Sequence, residues 1–425
     1  MDEYSPLESA MNSASSWMLS NIGSFLTLND LHRLSWANKA CCESLQRWLE
    51  TSPDLLQEMF HREYNWPRGM RLLVFGLSSC RPWGDRGLYR RVDPIMEFSL
   101  QDLRFDCKTN RLVGQPWEEF VVSKPPPVPL GSTEPIVCKA NDSGSQIFYC
   151  GGHQYARESN EKSTWLTIGD TSRYSYREAA LFDADTASWK AMPPIRDNDT
   201  RGLFGAGCCR LGSKIYIIGG ARMWGDRWDS EDLKKVFLFD LETEQWVASG
   251  IPDYPGELST DLKVVAQDPA TLLVVQSVIL RNRNWITDEW PSWSDIFSLD
   301  ILSRTWTKLN ALPRVSCPAA QRISIGYRGD RDSYQKIYQV LPTGEWEALP
   351  SNRDKNCWRV PATLGIGDGA SILSLGGCLE IYSCRSKSWR ILTSTNTVQM
   401  RDANGESVVV RMENHSKMIA ACPPT

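Results

Sequence analysis

The chain has 425 residues, of which 41% are hydrophobic and 23% charged, ordinary proportions for a globular protein long enough to bury a sizeable core in two or three domains. A formal net charge of −4, from 47 basic and 51 acidic side chains, excludes the strongly cationic surface that binds nucleic acid or anionic membranes electrostatically. The 18 Trp are the unusual number. So many large rings need many apolar slots, which points to one structural unit used repeatedly.

The chain opens on MDEYSPLESA, which lacks the basic and apolar regions of a signal peptide. The 13 Cys are scattered and form no C-x-x-C, as expected for reduced thiols in a cytoplasmic or nuclear protein. No apolar run approaches the roughly 20 residues of a membrane helix. The stretch TLLVVQSVIL (271–280) has the length of a buried strand.

Residues 15–65 show helical spacing of apolar side chains: Met18, Ile22, Phe25 and Leu26, then Leu31 and Leu34, then Leu45, Trp48 and Leu49, then Leu55, Leu56, Met59 and Phe60. Asn29 or Asp30 can cap a helix starting near Leu31, and Pro53 suits a first turn. The pattern predicts a small bundle of three or four helices.

From about residue 70 the texture changes to a repeat. FDADTASW ends at Trp189, FDLETEQW at Trp246 and LDILSRTW at Trp306, with Asp183, Asp240 and Asp300 six residues earlier and Thr186, Thr243 and Ser303 three residues earlier. VLPTGEW (Thr343, Trp346) and SCRSKSW (Ser386, Trp389) keep the hydroxyl and the Trp without the Asp. FDCKTNRLVGQPW keeps Asp106 and Thr109 but inserts residues before Trp117. Each segment reads as a β-hairpin: an apolar strand, an Asp and hydroxyl that bond the turn backbone, and a Trp that begins the return strand. Pro193, Pro252, Pro313 and Pro350 follow a Trp closely and mark exit loops. Upstream, apolar strands end in Gly-Gly at Gly151–Gly152, Gly219–Gly220 and Gly376–Gly377, whereas TLLVVQS holds the same place without glycine. Each unit is therefore four antiparallel strands in about 50 residues.

The repeated Gly-Gly and spaced Trp over about residues 70–425 resemble the kelch repeat. That resemblance implies a mainly β fold, a kelch-type β-propeller of six blades, with a seventh left open. The strand-like tail GESVVVRMENHSKMIAACP (405–423) would close the ring in the first blade. The string MLSNIGSFLTLNDLHRLSWANKACCESL (18–45) resembles an F-box, the all-α module that docks on a Skp-type adaptor; Ala14 and Ser15 stand where the family opens with Leu-Pro. The resemblance assigns adaptor binding to Met18, Ile22, Phe25, Leu26, Leu31 and Leu34. It implies two parts, an F-box-like module at 15–65 and a propeller at 70–425. The function implied is that of a substrate receptor in a cullin ubiquitin ligase. The alternative is a scaffold or cytoskeletal interaction propeller with an N-terminal helical cap.

No enzyme is expected. Four His, two of them in the helical module, are too few for the metal site of the kelch-like oxidases, and no nucleophile elbow, Walker loop or zinc spacing occurs. No cofactor or metal is implied. GIGDGA (365–370) precedes a strand and reads as a turn, and PPPVP (125–129) as a loop between blades. By the kelch resemblance, partners bind residues after Gly-Gly and the loops entering the next blade. Those positions hold His153, Tyr155, Arg222, Trp224, Trp228, Arg281 and Trp285, with Arg201, Arg314 and Arg353 on the incoming loops. Arg and Trp are enriched in binding hot spots, and Arg forks suit carboxylate or phosphate. The expected partner is a protein substrate offering an acidic or phosphorylated segment.

Overall fold

The repeat folds into four-stranded antiparallel sheets. The computed structural model describes Asp30, Arg33, Glu43, Gln46 and Leu49, and then the runs 53–80, 95–100, 103–128, 134–155, 173–195, 202–223, 230–256, 262–276, 296–314, 338–350, 362–393, 397–401, 407–412 and 417–422, with a few positions inside some of these excepted. From the centre outward the second blade runs Ile136–Lys139, Gln146–Cys150, Ala179–Asp183, Ser188–Met192. The third runs Gly207–Leu211, Lys214–Ile218, Val236–Asp240, Gln245–Val247, and the fourth Leu262–Asp268, Thr271–Gln276, Ile296–Asp300, Thr305–Leu309. The last runs Ala362–Ile366, Ser371–Leu375, Leu379–Ser383, Ser388–Thr393. Before it in the chain, Tyr338–Val340 pairs with Trp346–Ala348, a two-stranded ladder with the register of an outer hairpin. The described residues thus hold five complete blades, with that ladder at the Trp346 turn of the expected six.

The first blade draws on both ends of the described chain. Arg71–Phe75, Ile95–Phe98 and Trp117–Phe120 pair in order, and the innermost strand is Lys417–Ala421, with Leu73 opposite Ile419. The tail therefore occupies the ring-closing place. The inner strands of consecutive blades lie side by side: Ala362–Ile366 beside Lys417–Ala421, then Ile136–Lys139, Gly207–Leu211 and Leu262–Asp268.

The core lies between the blades. Side chains alternate across a strand, so Ile147 and Tyr149 meet Leu73 and Phe75 of the first blade while Phe148 meets Ile217 and Phe239 of the third. The same alternation joins Tyr216 and Ile218 to Leu272 and Val274, and Leu273 and Val275 to Trp346. Val128, from the Pro-rich stretch, is buried in the cluster between the first and second blades.

The outer hairpins bear out the turn chemistry. One carboxylate oxygen of Asp183 accepts the backbone N–H groups of Asp185 and Thr186, both at 2.9 Å. Asp240 and Asp300 repeat this with Glu242 and Thr243, and with Leu302 and Ser303. In the last blade Ser383 takes the Asp place, its hydroxyl accepting the Ser386 N–H at 3.1 Å. Each Trp stands opposite an apolar residue of the preceding strand: Phe98–Trp117, Phe182–Trp189, Phe239–Trp246, Leu299–Trp306, Val340–Trp346 and Tyr382–Trp389.

Two details differ from the expectation. The strand before Trp117 is Ile95–Phe98, because Arg104–Asp106 pairs with Arg111–Val113 in an extra ladder inserted between them. The Asp106 turn closes that insertion, with Thr109 Oγ1 donating to its carboxylate at 2.6 Å. Trp117 is also the one hairpin Trp that is fully buried, at 2% exposure; the other five are half-buried. Each of those still removes about two thirds or more of a Trp's roughly 200 Å² from water, about 3–4 kcal/mol gross.

The helix Pro53–Tyr64 fills the seam where the first and last blades meet. Leu56, Met59, Phe60 and Tyr64, with Leu49 and Trp66, share one cluster with Leu72 and Phe98 of the first blade and Leu373, Leu375 and Ile381 of the last. Rings run through it from Tyr64 to Phe60, Trp66, Phe98 and Trp117, with neighbouring centroids 5.2–6.3 Å apart. Arg390 Nε donates to the Tyr64 hydroxyl at 2.9 Å, Ser383 Oγ to the Glu63 carbonyl at 3.2 Å, and the Arg390 guanidinium lies over the Phe105 ring of the inserted ladder. Burial pushes the Tyr64 hydroxyl well above its ordinary range, against the opposing Arg390 charge. Val398, Val410 and Met412 add a further layer from a small sheet of Ser78–Cys80, Ser407–Arg411 and Thr397–Arg401. No helix among the described residues is long and apolar enough to cross a membrane.

Candidate recognition face

The glycine pairs turn the chain out of two blades and into two short ladders. After Gln146–Cys150 and Lys214–Ile218 the backbone turns left-handed, with φ of 66° and 92° at Gly151 and Gly152 and of 74° and 92° at Gly219 and Gly220. L side chains rarely adopt these angles. Space sets a second limit, because a Cβ on Gly151 would run into the Leu203 carbonyl and one on Gly220 would lie 2.8 Å from the Phe204 carbonyl. The chain entering the third blade threads between the two exits. Gly152 N–H donates to Leu203 O at 2.8 Å, Leu203 N–H to Tyr176 O at 3.0 Å, and Phe204 and Ala221 exchange both backbone bonds at 2.9–3.0 Å.

Both of these exits continue into a short ladder, while Gly376 and Gly377 lie outside the described residues. His153–Tyr155 pairs with Arg173–Ser175, and Ala221–Met223 with Ser230–Asp232, placing Arg222 opposite Glu231. Strand Arg173–Ser175 of one ladder lies beside Ala221–Met223 of the next. Two consecutive blades thus raise adjoining ladders into one wall, with its backbone tied to the incoming strand of the third blade.

The expected partner-facing residues fall in different places. His153 is 2% exposed and its ring stacks 4.5 Å from Phe204, so it supports the wall from beneath. Arg222, in the second ladder, is 5% exposed, so its side chain is buried. Tyr155 is the last residue of its strand, opposite Arg173. Arg314 is exposed but stands apart from the wall, its Nε donating at 2.7 Å to the Thr343 carbonyl in the next hairpin turn. Arg201, Trp224, Trp228, Arg281, Trp285 and Arg353 lie outside the described residues, as do Met18, Ile22, Phe25, Leu26, Leu31 and Leu34. The wall therefore brings together the two post-glycine segments of the second and third blades.

One recurring contact was not read from the sequence. Trp246 Nε1–H donates to Pro193 O at 2.7 Å, Trp306 to Pro252 O at 2.9 Å, Trp346 to Pro313 O at 2.7 Å and Trp389 to Pro350 O at 2.8 Å. The linker leaving each of these blades is stapled to the Trp of the next. The signal was present as a Pro a few residues after each Trp, but its carbonyl serves the following repeat.

The kelch motif matches residues 203–248, which span the third blade from its incoming strand past Trp246. No curated protein matches the chain. Four-stranded blades, left-handed glycine exits, an Asp-turn before the outer Trp of three blades and a strand from far along the chain closing the ring make the fold a kelch-type β-propeller.

Proposed function

We propose that this chain is the substrate receptor of a Skp/cullin/F-box ubiquitin ligase, the propeller holding a protein and residues 18–45 docking on the Skp-type adaptor. The propeller side rests on the wall of adjoining ladders, a backbone-braced surface of the kind that meets proteins. The adaptor side rests on the sequence pattern of Met18, Ile22, Phe25, Leu26, Leu31 and Leu34, an apolar helical surface suited to a groove. The chain itself does no covalent chemistry in this reading. It raises the substrate's effective concentration beside the transferring enzyme.

A second reading, an interaction scaffold with a helical cap, draws support from the Pro53–Tyr64 helix, which is part of the propeller seam. The same packing dictates the test. Cutting at residue 66 would remove Phe60 and Tyr64 and unsettle the ring, so the comparison uses full-length chain and a Leu31→Asp, Leu34→Asp variant. Affinity capture with mass spectrometry should recover adaptor and cullin with the parent chain only, and a shared set of other proteins with both. Recovery of that shared set with neither adaptor nor cullin from the parent would leave the scaffold reading.

A further inference from the structure

The inner strands of the second and third blades bring thiols together. Strands Ile136–Lys139 and Gly207–Leu211 lie side by side. Alternation sends Cys208 into the cluster that holds Cys138 and Cys150, and Cys209 into the cluster on the fourth-blade side. Cys208 Sγ–H donates to Val137 O at 3.3 Å and Cys138 Sγ–H to Lys139 O at 3.5 Å. The first of these bonds holds the Cys208 sulfur against the peptide that joins Val137 to Cys138. Cys208 keeps partial exposure while Cys138 and Cys150 are buried. The contact with Cys138 draws the Cys208 thiol below its ordinary range, helped by the ammonium groups of Lys417 and Lys263 on neighbouring inner strands. The same contact, with burial, pushes the Cys138 thiol up.

A partly exposed thiol with a buried second thiol against it is the arrangement of an attacking and a resolving cysteine. We propose that Cys208 and Cys138 are an oxidation site for hydrogen peroxide, closing a disulfide that joins the innermost strands of the second and third blades. The Cys208 thiolate attacks one peroxide oxygen, the O–O bond breaks, and the departing hydroxide takes a proton and leaves as water. Sulfur is oxidised to the sulfenic acid and the peroxide is reduced. Cys138 then loses its proton and attacks Cys208 Sγ, the S–S bond forms, and the sulfenic hydroxyl leaves with that proton as a second water. These two blades carry the ladder wall, so the bond would fix the base of the recognition face.

The test treats the full chain with hydrogen peroxide, blocks remaining thiols with N-ethylmaleimide and maps unreduced peptides. A Cys138–Cys208 crosslink is expected, retained in Cys209→Ser, absent from Cys208→Ser and reversed by dithiothreitol. In Cys138→Ser, dimedone should label Cys208 as the trapped sulfenic acid. A crosslink of Cys138 that persists in Cys208→Ser, or no crosslink in the parent together with no label on Cys208 in Cys138→Ser, overturns the proposal. A thermal transition matching the parent's in each reduced variant establishes that the readings come from folded protein.

Discussion

At the scale of single residues, the Trp is both a packing group and a donor. Trp246→Phe keeps a ring against Phe239 but loses the bond to Pro193. It should cost about 1 kcal/mol in denaturant unfolding. Trp189 is the internal control, since its indole N–H is buried with no acceptor among the described residues. Trp189→Phe should cost clearly less than Trp246→Phe, and equal costs would remove the linker bond from the account. The Asp turns add a pH dependence. The Ser303 N–H holds the Asp300 carboxyl below the ordinary range, with the Ser303 hydroxyl and Leu302 N–H adding. A carboxylate lowered on folding stabilises the fold above its unfolded value, about pH 4, and that contribution is lost as the pH falls through the folded value. Asp300→Asn should therefore flatten the acid limb by lowering stability at neutral pH while matching the parent in acid, and an NMR titration of Asp300 should give a midpoint below that of a peptide. The Asp and Trp spacing was legible in the sequence because it acts within one hairpin. The Pro acceptors were not, because their partners stand one blade further along.

At the scale of the element, the hairpin turn carries strain in the same place each time. The residue between the hydroxyl and the return strand is left-handed: Ala187 at φ 50°, Glu244 at 54°, Arg304 at 57° and Lys387 at 52°. The equivalent position before Trp346 is Gly344, at φ 83°. Glycine removes a left-handed penalty of about 1–2 kcal/mol and returns about 0.5–1 through the freer unfolded chain. Ala187→Gly should accordingly stabilise by about 0.5–1 kcal/mol, read from the shift of the unfolding midpoint. The glycine exits behave oppositely. Gly151→Ala meets the Leu203 carbonyl, whereas Gly212→Ala has nothing within 4 Å and pays only for its φ of 62°. The first should cost several times the second, which is about 1 kcal/mol. The Gly-Gly signature was readable because the backbone demands it wherever it recurs. The ladder inserted before Trp117 was not, since Asp106 and Thr109 copy the turn chemistry of a blade hairpin in a different one.

At the scale of the whole molecule, the interfaces between blades hold the core, and the ring depends on its seam. Among the described residues no linker carbonyl serves the Trp117 indole, which is buried behind Phe98, Trp66 and the Pro53–Tyr64 helix. Whether this helix belongs to a separate module or caps the propeller was left open by its sequence, because an amphipathic stripe does not say which apolar surface it covers. The tail was more legible, since Met418 to Ala421 are apolar residues with no other strand to join. A chain ending at Met412 leaves Arg71–Phe75 as a bare edge and removes Met418, Ile419, Ala420 and Ala421 from two clusters. It should lose its cooperative thermal transition. The most direct test of ring closure is native-state hydrogen exchange on the full chain. Amides of Lys417–Ala421 should exchange as slowly as those of Arg71–Phe75, opening together in one cooperative unit. Exchange of that strand at the rate of a frayed terminus, with Arg71–Phe75 still protected, would contradict the closed propeller.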